Sequence, residues 1–152
     1  MPASKLHNAG FTLLELLVVI AIMAMATAGV SLAMRDSSQT SLEREAQRLA
    51  VLFESARAKS RASGVAVTWH SAAQGFRFEG LPQGALPDRW LTEGTTVRGS
   101  VTVQLGPEPI IGPQAVELVL EPLANGQNQS ARAWRVATDG LRPFTVQAAG
   151  QP

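Results

Sequence analysis

Three groups of residues in this chain have types and spacings that chemistry can use. The first is Glu15, which stands just ahead of Leu16–Met34, a run without charge in which Thr27, Gly29 and Ser31 are the polar or small interruptions. At mid-membrane a carboxylate costs about 2.5–3.5 kcal/mol on insertion scales, so one kept there calls for a purpose such as matching a cation. The second is Arg57, Lys59 and Arg61, three cations within five residues. They suit either a phosphate-binding patch or the solvated end of a helix, and the second reading is the commoner one. The third is His70, which acid–base chemistry would have to pair with Asp88 or Asp139. A lone histidine beside Trp69 on a strand is more often structural, so no catalytic role is assigned to it. The chain has two histidines, His7 and His70, and no cysteine. Thiol nucleophiles, disulfides and Cys-ligated metals are thereby excluded. With 13 Lys+Arg against 12 Asp+Glu the net charge is +1, which gives no whole-molecule field to capture nucleic acid or acidic substrates.

The elements that must position these residues follow from periodicity. Residues 11–34 in helical form reach about 36 Å, enough to cross a hydrocarbon layer of roughly 30 Å. The polar head carries Lys5 and His7, and Arg35-Asp36 follow the run, which points the N-terminus to the cytoplasm. From Ser38 to Gly64 the pattern is helical again: Leu42, Ala46, Leu49, Phe53 and Ala56 recur at alternating spacings of four and three, making one apolar face. Thr40-Ser41-Leu42-Glu43 fits a capping box that would start this helix afresh. Arg35–Gln39, however, contains neither proline nor glycine, which allows one continuous helix. Gly64 supplies the stop.

Beyond Gly64 the period drops to two. Val65, Val67 and Trp69 alternate with polar or small neighbours, then Phe76 and Phe78 with Arg77 and Glu79, which reads as a hairpin. Further strands are expected at Val101–Leu105, Val116–Glu121, Ala131–Ala137 and Phe144–Gln147. Seven of the nine prolines lie from Pro82 to Pro143 and 11 of the 13 glycines from Gly64 on, so this part consists of short strands and turns. A helical half followed by a strand half makes the fold class α+β, with a long N-terminal helix packed on a small antiparallel β domain. At 152 residues one core is expected. Trp69, Trp90 and Trp134 are assigned to core or sheet face, and of the three Trp90, in a proline-rich loop, is the best candidate for a partner contact.

An ordinary secretory leader is the alternative for the N-terminus, since Ala24-Met25-Ala26 and Ala26-Thr27-Ala28 imitate its cleavage site. A discarded leader has no use for Glu15. Gly10-Phe11-Thr12-Leu13-Leu14-Glu15 followed by Leu-Val-Val-Ile-Ala-Ile resembles the class III leader of type IV pilins and type II secretion pseudopilins. The resemblance covers about the first quarter of the chain. It implies that a prepilin peptidase cuts between Gly10 and Phe11, that Phe11 is then N-methylated, and that Glu15 serves assembly. The single basic residue of the leader, Lys5, departs from relatives that carry more. The order of elements after Gly64, with Gly64–Trp69 after the helix and Asp139-Gly140 before the last strand, resembles the H-type minor pseudopilins and the type IV minor pilins of the FimT kind.

On that resemblance the chain divides into a leader (1–10), a transmembrane helix (11–34), an amphipathic helix (35–64) and a periplasmic β-rich region (65–152). Its expected partners are the prepilin peptidase, other major and minor pseudopilins, the inner-membrane secretion platform and the membrane, with no nucleic acid. A role in adhesion, pilus assembly or DNA uptake is the alternative implied by the minor-pilin likeness, and a secreted binding domain the alternative from a different class. Major pseudopilins carry a calcium site near the C-terminus. Here no residue after Asp139 has a carboxylate side chain, so no metal is expected, and the pseudopilin resemblance implies neither a cofactor nor an enzymatic activity.

Overall fold

Helix α1 runs from Leu13 to Ser63 without interruption in the computed structural model. The structure describes residues 13–73, 75–121 and 133–150, with the helical backbone alone for 30–39. Two compact units divide the chain at Ser37/Ser38, a boundary inside α1. The single helix agrees with the absence of any breaker between Arg35 and Gln39. It overturns the capping box: Thr40–Glu43 lie within the helix, where no free N–H groups call for a cap. The helix ends where Gly64, at φ 70°, donates its N–H to the Ser60 carbonyl at 2.8 Å, a left-handed stop that suits glycine.

In the first unit the helix is apolar and bare. Leu13, Leu14, Leu16, Leu17, Ile20, Ile22, Met23 and Met25 are all more than half exposed. Among the described residues no helix is long and apolar enough to cross a membrane. The expected span, 11–34, falls only in part on residues whose side chains are described, from Leu13 to Gly29.

Among the described residues of the second unit seven strands form two antiparallel sheets. β1 (Thr68–Ala72), β2 (Gly75–Glu79) and β4 (Thr102–Gln104) make one, in the order β2-β1-β4. β3 (Thr95–Val97), β5 (Gln114–Leu120), β6 (Trp134–Thr138) and β7 (Thr145–Ala148) make the other, in the order β3-β5-β6-β7. The α+β class and the hairpin are as the periodicity implied, with Trp69 opposite Phe78 in register. The hairpin starts later than the alternation did. Val65–Val67 are outside the strand, although the Val67 carbonyl accepts from Leu105 N–H at 2.8 Å. β3, a three-residue strand of Thr-Thr-Val, is too short to show a period and was not anticipated.

The apolar face of the helix is the buried one. Leu42, Ala46, Leu49, Phe53 and Ala56 are at most 1% exposed and share a core with Val67, just ahead of β1, and with Trp69, Val103, Val116, Leu118 and Val136 from both sheets. Aromatic rings chain through it. Phe144 meets Phe53 at 4.8 Å between centroids, Phe53 meets Trp69 edge-on at 5.4 Å, and Phe76 lies 6.0 Å from Trp69 and 4.6 Å from Trp90. Such pairs add about 0.5–1.5 kcal/mol each beyond the area they bury. Trp90 is partly buried against Phe76, in keeping with its assignment to core or sheet face rather than to a partner contact.

Candidate functional site

The residues singled out at the N-terminus divide between described and undescribed. Gly10 and Phe11, the expected cleavage junction and methylation position, lie outside the described residues, as does the leader 1–10. Glu15 is in the first turn of α1 and exposed, on the bare apolar helix. A carboxylate in the opening turn is favourably placed toward the positive end of the helix dipole. Glu15 stands four residues after Phe11 in the sequence.

The cation cluster does not exist as a surface patch. Arg57 is 4% exposed, donates to the Pro109 carbonyl at 3.2 Å and lies 3.4 Å from Glu54. Lys59 and Arg61 are exposed. At about 100° per residue Lys59 stands about 200° round the helix from Arg57, whereas Arg61 is only about 40° away, one turn further on and at the rim of the buried stripe; with Arg57 buried, the three cations do not make one exposed patch.

Two Glu-x-x-Arg pairs on α1 hold the loops of the second unit, and the sequence reading missed them. Glu45, 3% exposed, accepts the Leu91 and Thr92 N–H groups on Oε2, each at 3.0 Å, and takes Arg48 at 2.7 Å on Oε1. Arg48 also donates to the Arg89 carbonyl at 3.1 Å. Glu54 accepts the Phe144 N–H at 3.0 Å and a bond from Arg57. Nine residues, two and a half turns, separate Glu45 from Glu54, so they flank the apolar stripe on opposite sides. Each pair is satisfied by backbone groups of a loop that would otherwise be left unpaired beside the helix. The signal was present as a repeated Glu-x-x-Arg spacing, but identical spacing is common on solvated helices.

His70 meets neither Asp88 nor Asp139. Its ring contacts Thr102 Oγ1 through Nδ1 and Glu79 Oε2 through Nε2, both at 3.1 Å, across the β2-β1-β4 sheet. Asp139 turns inward on its own loop. Backbone N–H groups of Arg142 and Leu141, at 2.8 and 3.0 Å, together with the Arg142 guanidinium, hold its carboxyl below its ordinary value. A Cβ at Gly140, whose φ is +91°, would fall on the Ile111 carbonyl oxygen. Among the described residues no cluster of three His, Cys, Asp or Glu side chains is placed to hold a metal ion.

The prokaryotic N-terminal methylation motif matches residues 5–31, which contain Gly10, Phe11 and Glu15. This supports a pilin-like family, and the α+β architecture with its long N-terminal helix is consistent with it. A leader of this type implies processing by a prepilin peptidase and assembly with other pilin-like proteins, and it suggests a membrane-anchored N-terminus. No curated protein and no solved structure matches this chain.

Proposed function

We propose that the chain is a non-enzymatic minor pseudopilin of a type II secretion system, stored in the inner membrane by residues 11–34 and assembled near the tip of a periplasmic pseudopilus. The observation that carries this reading is the methylation motif laid over a helix whose apolar residues are bare, in a chain whose second unit has a buried core of its own. Bare leucines, isoleucines and methionines on every side of a helix call for lipid or neighbouring helices around them. Cleavage between Gly10 and Phe11 would create an amine at Phe11, methylated there, four residues ahead of Glu15 in the sequence. In a filament the amine of one subunit can meet the Glu15 of the next. Either charge left alone in an apolar surrounding costs several kcal/mol, so the pair defines axial register more than it adds stability. The burial of Arg57 favours this reading over a DNA-uptake pilin, because it leaves the helix end with fewer cations for counterion release.

The experiment compares wild type and Glu15→Val in the native host. Mass analysis of the mature chain is expected to begin at N-methylated Phe11 in both. Glu15→Val is expected to accumulate in the inner membrane, to co-purify less with the other pseudopilins and to support less export. A mature chain beginning near Ala26–Gly29 overturns the pilin-like reading. Normal export by a null strain that has lost pili or DNA uptake instead selects the minor-pilin alternative.

A further inference from the structure

The strand edges of the second unit are protected unequally. The outward backbone groups of β4 at Gln104 are both taken by one side chain: Gln104 N–H donates to Gln114 Oε1 at 2.7 Å, and Gln114 Nε2 donates to the Gln104 carbonyl at 2.9 Å. That carboxamide occupies the place a further strand would take. On β2, Phe76 N–H donates to the Asp88 carbonyl at 2.9 Å, and the strand carries the charges Arg77 and Glu79. β3 has three residues, and Thr95 N–H is spent on Thr92 at 3.3 Å. Closed, charged or very short edges are how sheets avoid unwanted pairing.

Among the described residues β7 has none of these devices. Its sequence, Thr-Val-Gln-Ala, has no charge and no proline. Ala149 N–H donates to the Ala133 carbonyl at 2.7 Å, so the alternation of an antiparallel ladder turns Gln147 and Thr145 toward β6 and Val146 and Ala148 away from it. Among the described residues the N–H and C=O groups of Val146 and Ala148 have no partner, which leaves four aligned hydrogen-bonding groups on one edge.

We propose that the β7 edge binds a second copy of this chain, β7 against β7, in an antiparallel register with Val146 opposite Ala148. In that register the four open groups of one copy meet the four of the other, giving four hydrogen bonds. Gln147 faces its own counterpart at the two-fold axis. A slip that centres on Val146 would bring Phe144 into the ladder, and its N–H is already held by Glu54. The absence of charge on the strand means that two copies meet without repulsion, and an interface that repeats the same patch on both sides is the commonest symmetry of association. The proposal does not depend on the secretion reading.

The chain has no cysteine, so introduced thiols report position directly. In a non-hydrogen-bonded antiparallel pair the Cα atoms stand about 4.5 Å apart, within disulfide reach. Two copies of position 145 would stand about 13 Å apart, out of reach. Full-length Gln147→Cys, Thr145→Cys and Ala149→Cys are purified in detergent, diluted into excess empty micelles and oxidised with copper–phenanthroline, which accepts the two electrons of each disulfide. Gln147→Cys is expected to give a covalent dimer alone. Thr145→Cys and Ala149→Cys are expected to stay monomeric separately and to dimerise when mixed, at least fivefold above either alone. Equal cross-linking at all three positions, or none at any, overturns the proposal. So does capture in the cell, by Gln147→Cys and a thiol-reactive bifunctional reagent, of a different pilin-like subunit with no dimer of this chain.

Discussion

Replacing Glu45 by alanine removes the acceptor for two backbone N–H groups and the partner of Arg48 in one step. The carboxylate is buried, with 2% of its side chain exposed, so its bonds are little weakened by competing water. Bonds to a charged group contribute about 1.5–3 kcal/mol each. Leu91 is exposed and Arg48 is 22% exposed at its side chain, so these partners recover part of the loss by hydration. Taking the two N–H bonds at the low end gives a destabilisation of about 3 kcal/mol. For a unit of this size that is a fall in Tm of roughly 10 °C or more. Glu43, two residues earlier, bonds Gln47 at 3.3 Å on the exposed side of the helix, and Glu43→Ala is expected to cost less than about 0.5 kcal/mol. Trp69, Trp90 and Trp134 all lie in the second unit, so tryptophan emission during heating reports that unit and not the apolar helix. Amide exchange at Leu91 and Thr92 adds the local readout, with faster exchange at both in Glu45→Ala. Melting of Glu45→Ala within about a degree of Glu43→Ala would refute the argument, because it would mean that the buried carboxylate holds nothing that water cannot replace.

Two other expectations follow from the turn at Asp139. Gly140→Ala places a methyl group on the Ile111 carbonyl in a left-handed backbone and is expected to lower stability by about 2 kcal/mol or more, against almost none for Gly112→Ala, whose Cβ meets nothing within 4 Å; tryptophan-monitored denaturation of the pair checks it. The Asp139 carboxyl is held below its ordinary value of 3.8, so the stability it adds is complete above that value and is lost as pH falls through the lowered folded value. The Leu141 and Arg142 amide shifts should therefore titrate below pH 4 in the wild type and stay flat in Asp139→Asn, and identical curves would remove the carboxylate from the turn.

The N-terminal third of this protein is legible in one dimension because its determinants are local. A glycine, an aromatic residue, a glutamate and an uncharged run are recognised by order alone, and residues 5–31 carry them together. The buried stripe was legible for the same reason: α1 repeats every 3.6 residues, so Leu42, Ala46, Leu49, Phe53 and Ala56 had to share a face whatever lay opposite. The tertiary structure decided which charged side chains on that helix face inward. Glu45 and Arg57 resemble Glu43 and Arg61 in composition and spacing, yet the first two are buried because loops from residues 89–92 and 109–112 bring backbone groups to them. Those loops lie about 45 to 50 residues downstream, and no local pattern encodes the meeting. The strand edges followed the same logic. Whether Gln104 is open or closed depends on Gln114 reaching back across a loop, and whether Val146 is open depends on Ala149 bonding Ala133. Periodicity assigns a residue to a face, but the hydrogen-bonding direction of an edge is set only when the neighbouring strand is in register.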